Sequence, residues 1–220
     1  MNILEFARGP AFQFALVVFV FGVCWRLAGI FLMYRRFDRS QPRRNALVAG
    51  GLRAIVMRSL PPHELEKKIV FQHVSGYAWH LTFFVSVLFF APHIPFFKQF
   101  LGVGWPALPN TVALLSGAIA LAILATLLWR RAGNAVLRRI STLDDYVSIV
   151  LAILPLVTGF MTYARVLPIG VRYETMLGLH VLSICALLVW FPFGKLMHLF
   201  LAFPARFQAG VLLKRKGVEA

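Results

Sequence analysis

Five stretches of the chain run apolar without regular polar interruption: residues 12–34, 69–91, 111–129, 146–164 and 175–203. A bilayer core is crossed by about 20 apolar residues of helix, and each stretch is near or above that length. Backbone N–H and C=O groups surrounded by lipid must pair within their own segment, so the stretches predict helices. Barrel strands would alternate apolar and polar positions, and these do not. The expected fold class is an all-α integral membrane protein with five transmembrane helices.

The polar segments between the stretches set the orientation. Arg35, Arg36, Arg39, Arg43, Arg44, Arg53, Arg58, Lys67 and Lys68 lie between the first two. Arg130, Arg131, Arg138 and Arg139 lie between the third and fourth, and Arg206, Lys214, Arg215 and Lys216 at or beyond the end of the fifth. The other side holds only Arg8, Lys98, Arg165 and Arg172. Basic residues accumulate on the cytoplasmic face. The amino terminus is therefore expected outside and the carboxyl terminus cytoplasmic, in a multi-pass protein of the cell inner (plasma) membrane.

Composition agrees with that reading. Hydrophobic residues make up 60% of the 220 and charged residues 14%, with a mean hydropathy of +0.76. These values exclude a water-soluble globular enzyme, a disordered chain and a disulfide scaffold. The net charge of +15 would suggest nucleic acid in a soluble protein, but its placement between apolar runs makes it a topology signal, with membrane lipid as the partner and no nucleic acid. The first stretch lacks an A-x-A site and is long enough to span, so it reads as a helix rather than a cleavable signal. Cys24 and Cys185 sit in apolar runs without a C-x-x-C partner and read as packing residues. No internal repeat is evident, and a single domain over residues 1–220 is expected. Within the long basic loop, residues 45–57 are moderately apolar and read as a headgroup-facing connector or a docking surface. The segment 92–110, with Pro92, Pro95, Pro106, Pro109, Phe96 and Phe97, is expected to be ordered against the bundle.

Histidine carries the candidate chemistry. Of His63, His73, His80, His93, His180 and His198, all but His63 fall in or at the edge of a stretch. Ionisable groups there are costly and default to a functional reading. Carboxylates are confined to helix ends, at Asp144, Asp145 and Glu174, which disfavours proton-relay pumps and carboxylate-bridged metal sites. His180 and His198 are 18 residues apart. On one continuous helix that is five whole turns, about 27 Å of rise, with both side chains in phase. Two imidazoles facing one way near opposite membrane faces suit two stacked cofactors, and neutral imidazole is an axial ligand for haem iron.

The second stretch supplies the partners. His80 follows Gly76-Tyr77-Ala78-Trp79, and His93 follows Ala91-Pro92. Antiparallel running pairs His198 with His80 and His180 with His93. On a straight helix His80 and His93 point about 140° apart, an angle that changes if Pro92 bends or ends the helix. His73, one heptad before His80, is the runner-up ligand. Plain readings stand beside these. His73 also fits an interhelical hydrogen-bonding role, His93 an interfacial one, and His63, in Pro61-Pro62-His63-Glu64, a solvated loop. Ser141 or Thr142 with Asp144 and Asp145 reads as a helix N-cap. Arg26 reads as a snorkelling residue or a contact for a haem propionate.

Three stretches resemble the gamma-subunit family of respiratory nitrate reductases, a dihaem cytochrome b. They are Leu179-His180-Val181-Leu182 with Trp190-Phe191-Pro192-Phe193-Gly194-Lys195-Leu196-Met197-His198; Arg138-Arg139-Ile140-Ser141-Thr142 with Asp144-Asp145 and Thr158-Gly159; and Trp79-His80-Leu81 with Ala91-Pro92-His93. The family places its second-helix outer His where this chain has Phe90, which either shifts that ligand to His93 or removes the outer haem. The same cytochrome fold occurs with heterodisulfide-reductase-like partners.

The resemblance implies a b-type cytochrome subunit of a respiratory oxidoreductase. It would pass electrons between membrane quinol or quinone and a cytoplasmic iron–sulfur subunit through one or two bis-His haems b. The ligands implied are His80 with His198 and His93 with His180, with no catalytic residue of the chain's own. A quinone site is implied near the outer haem, with Lys98 and Glu174 as minor candidates. Two other readings are a haem-free membrane anchor for a peripheral redox complex and a His-based metal transporter. The transporter would need clustered histidines and paired broken helices. A membrane di-iron oxygenase would need H-x-x-x-H clusters, which the sequence lacks.

Overall fold

A computed structural model describes residues 2–32, 41–60, 66–166, 168 and 170–218, and among them there are helices and turns but no strand. His63, Arg35, Arg36 and Arg39 lie outside the described residues. In chain order, α1 (Ile3–Phe6) and a π-helical turn (Ala7–Ala11) lead into α2 (Phe12–Leu32). Then come α3 (Leu47–Met57), α4 (Glu66–Phe89), a 3-10 turn (Ala91–His93) and α5 (Ile94–Leu101). The series continues with α6 (Asn110–Gly133), α7 (Ala135–Ile140), α8 (Leu143–Ala164), α9 (Tyr173–Trp190), a 3-10 turn (Lys195–Met197) and α10 (His198–Arg215).

Among the described residues, five segments are long and apolar enough to cross a membrane: Ile3–Ile30, Asn110–Gly133, Leu143–Ala164, Tyr173–Trp190 and Lys195–Arg215. Ile69–Phe89 and Ala91–Leu101 together form a sixth candidate, bent by 61°. Three of the expected stretches thus lie within or largely within one helical segment each. The second stretch ends at that bend, at Phe90, two residues before Pro92. The fifth is not the single helix expected over residues 175–203: α9 ends at Trp190, and a turn and a 3-10 turn intervene before α10.

The reason for that break is local. Pro192 has no N–H to continue the ladder. The Trp190 carbonyl accepts from both the Phe193 and Gly194 N–H, at 3.1 Å each, which closes a turn instead. The Lys195 N–H, whose helical acceptor would be the Phe191 carbonyl, donates at 2.8 Å to the Asp144 carboxylate on α8. Five in-phase turns between His180 and His198 therefore do not exist.

The chain forms two compact units, Met1–Phe21 with Val74–Lys195, and Gly22–His73 with Leu196–Ala220. In the first, α8 packs along α9 and α6, and α1 packs on α9. Its core is built from small residues: Ala120 and Leu124 of α6 meet Ala152 and Leu156 of α8, flanked by Trp79 and Phe83 of α4. A second cluster joins Phe12, Ala15 and Cys185. Large apolar side chains such as Phe14 and Trp129 are exposed while alanines are buried. Helices that pack in lipid have this distribution, because close backbone approach rather than water exclusion holds them together.

In the second unit the same rule recurs. Gly50, Gly51 and Ala54 of α3 are buried, and α3 packs on α10. A Cβ on Gly51 would stand 2.6 Å from the Phe207 ring, and one on Gly210 would meet Ala54 and the Gly50 carbonyl. Arg206 Nη1 donates to Ser59 Oγ at 2.8 Å, and the Arg43 N–H to the Arg215 carbonyl at 2.9 Å. Residues 45–57, expected as a connector, are thus a packed helix over most of their length.

Candidate functional site

The end of α4 builds one half of the site. Phe90 is extended, with φ −74° and ψ 123°, and ends the helix two residues before Pro92. A helix end leaves carbonyls without intrahelical partners, and a buried end must find others. Each one here does. The Val87 carbonyl accepts from His93 Nδ1 at 2.9 Å, the Leu88 carbonyl from Trp105 Nε1 at 2.8 Å, and the Phe89 carbonyl from the Leu108 N–H at 3.1 Å. The Phe90 carbonyl takes the His93 N–H at 2.9 Å. The break therefore seats the His93 ring against the helix it follows. A carbonyl only accepts, so Nδ1 carries the proton and Nε2 keeps its lone pair.

α8 and α9 build the other half. Pro155 and Thr158 lie one turn apart on α8, and Gly159 follows. Thr158 Oγ1 stands 3.2 Å from His180 Nδ1. Its own hydrogen goes to the Leu154 carbonyl at 2.7 Å, so toward His180 it acts as acceptor. Ser183 Oγ donates to the His180 carbonyl at 2.6 Å. Gly159 admits the ring to the α8 backbone: a Cβ there would lie 3.1 Å from His180 Cε1. His180 also protonates on Nδ1 and keeps Nε2 bare.

These two rings meet. The His93 and His180 centroids are 6.3 Å apart and their planes differ by 8°. With metal–imidazole bonds of about 2.0 Å, a separation of this size would leave room for one metal ion held by both rings. The separation, the near-parallel planes and the two Nδ1 acceptors all fit a bis-His metal centre. A hydrogen bond from Nδ1 to a carbonyl or hydroxyl is the arrangement that orients a metal-ligating imidazole. Phe90 packs edge-on against His93 at 5.2 Å and against Tyr163 at 5.3 Å. The position the family gives to histidine thus carries a ring that packs on the actual candidate.

The remaining histidines are placed separately. His80, in the first unit, holds Nδ1 2.6 Å from the Gly76 carbonyl and packs on Trp79 with centroids 4.4 Å apart. His198 opens α10 in the second unit and is exposed. His73 lies on the part of α4 that belongs to the second unit. Lys98 is on α5, Glu174 in the exposed first turn of α9, and Arg26 exposed on α2. Among the described residues, no three His, Cys, Asp or Glu side chains gather as they would around a non-haem metal.

One polar network was not foreseen in full. Asp145 does cap α8: its carboxylate accepts from the Thr142 N–H at 2.8 Å. It also takes Lys195 Nζ at 2.6 Å and Arg131 Nη1 at 3.3 Å. Asp144 does something else. Its carboxylate accepts from Ser148 Oγ at 2.9 Å, Trp190 Nε1 at 3.0 Å and the Lys195 N–H at 2.8 Å, and so fastens the end of α9 to α8. Gly194 makes room, since a Cβ there would sit 2.6 Å from Asp144 Oδ1. The sequence signal was a Gly two residues after a Pro at a helix end, facing a capping acid. Trp79 Nε1 is buried without a hydrogen-bond partner.

Comparison with known proteins adds a relative but no family. A protein of Nitratidesulfovibrio vulgaris (strain Hildenborough) is 29% identical over 221 residues, covering 96% of this chain and 95% of the relative; its name states no activity. No family model matches the chain. No solved structure matches it.

Proposed function

We propose that the chain is a membrane b-type cytochrome subunit, similar to the nitrate reductase gamma subunits, that carries electrons between quinol or quinone and a cytoplasmic iron–sulfur partner. The observation that carries the proposal is the His93–His180 pair, parallel and 6.3 Å apart with both Nδ1 atoms held by acceptors. Haem bound there would supply a reversible one-electron couple within the bilayer, and the protein supplies ligands and surroundings. The helix break holds His93 through the Val87 carbonyl, α8 holds His180 through Thr158, and Phe90 and Tyr163 close one side with apolar rings.

The charge pattern supports an outside amino terminus and a cytoplasmic carboxyl terminus in the plasma membrane. Arg130, Arg131, Arg138 and Arg139 join α6 to α8 on one side, and Lys214, Arg215 and Lys216 end α10. These basic residues would face the cytoplasmic partner. The quinone would bind near His93 and His180, within reach of α5 and the start of α9.

The test is the optical spectrum of the purified protein. The proposal expects a b-type band that appears on dithionite reduction and haem that extracts without covalent attachment. A protein purified from haem-replete cells with no such band would instead be a haem-free anchor.

A further inference from the structure

The two halves of the candidate centre are held differently. His93 Nδ1 donates to a main-chain carbonyl, Val87, which no substitution at that position removes. His180 Nδ1 faces a side chain, the Thr158 hydroxyl at 3.2 Å. That hydroxyl is itself polarised, because it donates its hydrogen to the Leu154 carbonyl at 2.7 Å. A donor engaged in this way is a better acceptor, since hydrogen bonds in a chain strengthen one another in a low-dielectric interior. The ring is pressed against α8 at Gly159, and Ser183 is bonded to the His180 carbonyl rather than to the ring.

We propose that Thr158 is a positioning residue for His180, fixing its Nδ1-protonated tautomer and setting, through that hydrogen bond, the reduction potential of the centre that His93 and His180 hold. This inference rests on the cytochrome reading. The chemistry is direct. Donation from Nδ1–H pushes electron density onto Nε2 and makes the imidazole a stronger donor to the metal. A stronger donor favours the oxidised iron. Removing the hydroxyl weakens the donor and moves the potential upward. Thr158 is thus the side chain beside this pair through which substitution can adjust the potential without touching a ligand.

The experiment compares wild type, Thr158→Val, Thr158→Ala and Thr158→Ser in spectroelectrochemical titration of the membrane-extracted protein. The expected result is a shift to higher potential of one b-type component in the Val and Ala variants, with its absorption and haem content retained and with Ser close to wild type. Unchanged potentials in Val and Ala, or a Ser variant displaced as far as Val, would overturn the inference while leaving the cytochrome reading intact. A second measurement does not need haem. Histidine-selective ¹⁵N spectra of haem-depleted protein should show His180 as a single Nδ1-protonated tautomer in wild type and a mixture in Thr158→Val. The same tautomer in both, or a mixture in both, also overturns it. Absence of any b-type absorption in wild type sinks the cytochrome reading itself, a result separate from either of these.

Discussion

Removing the Asp144 carboxylate should release the end of α9. Three donors converge on it: Ser148 Oγ at 2.9 Å, Trp190 Nε1 at 3.0 Å and the Lys195 N–H at 2.8 Å. A hydrogen bond to a charged acceptor contributes about 1.5–3 kcal/mol. Trp190 Nε1 also reaches Ser148 Oγ at 3.2 Å, and Lys195 is exposed enough for water to replace part of its bond. With those two offsets the loss for Asp144→Ala is about 3 kcal/mol, the low-end value of two such bonds rather than three. For a chain of this size that corresponds to a fall in Tm of about 6–12 °C. Trp190→Phe keeps the ring and deletes the donor, so a double-mutant cycle isolates the Asp144–Trp190 term, expected at about 1.5 kcal/mol. The assay is the thermal onset of thiol labelling at Cys185, which is buried on α9, in a Cys24→Ser background that removes the exposed thiol. A coupling energy indistinguishable from zero would refute the reasoning, because Asp144 would then be a helix-start charge and not a link between helices.

Other expectations follow from the same geometry. Gly210→Leu should cost about 1–3 kcal/mol through overpacking, because even a Cβ there meets Ala54 and the Gly50 backbone; hydrogen exchange over Leu47–Met57 should rise while α8 stays protected. Gly159→Val should displace the His180 ring, since a Cβ already lies 3.1 Å from Cε1. In difference spectra it should remove or broaden one b-type component. Trp105→Phe should leave the Leu88 carbonyl without its donor. It should destabilise the α4 break by about 1–3 kcal/mol, seen as lower thermal stability with unchanged helix content by circular dichroism.

Much of the architecture was legible because lipid simplifies the code: length and apolarity alone place α2, α6 and α8. The bend at Pro92 was legible too, from a missing N–H. What the apolar pattern could not report was where a helix stops while staying apolar. Trp190 to His198 is as hydrophobic as a span, and the stop depends on Pro192, Gly194 and a carboxylate 51 residues earlier in the chain at Lys195's partner, Asp144. A tertiary hydrogen bond of that kind has no local signature. The His93–His180 pairing was readable from direction of travel along two antiparallel helices. The in-phase argument for His180 and His198 was not a safe route to it, since it assumed an unbroken helix. The α3–α10 contact hid in plain composition: Gly50, Gly51, Ala54 and Gly210 look like loop glycines until a partner helix is set against them.

The central claim is that His93 and His180 grip one iron between them. The most direct measurement is the reduced-minus-oxidised spectrum, with low-temperature electron paramagnetic resonance of the oxidised protein, for His93→Ala and His180→Ala beside wild type. The account predicts that wild type shows low-spin bis-imidazole signals and that both substitutions abolish the same component. Loss of different components, or a full complement of b-type haem in either variant, would contradict it.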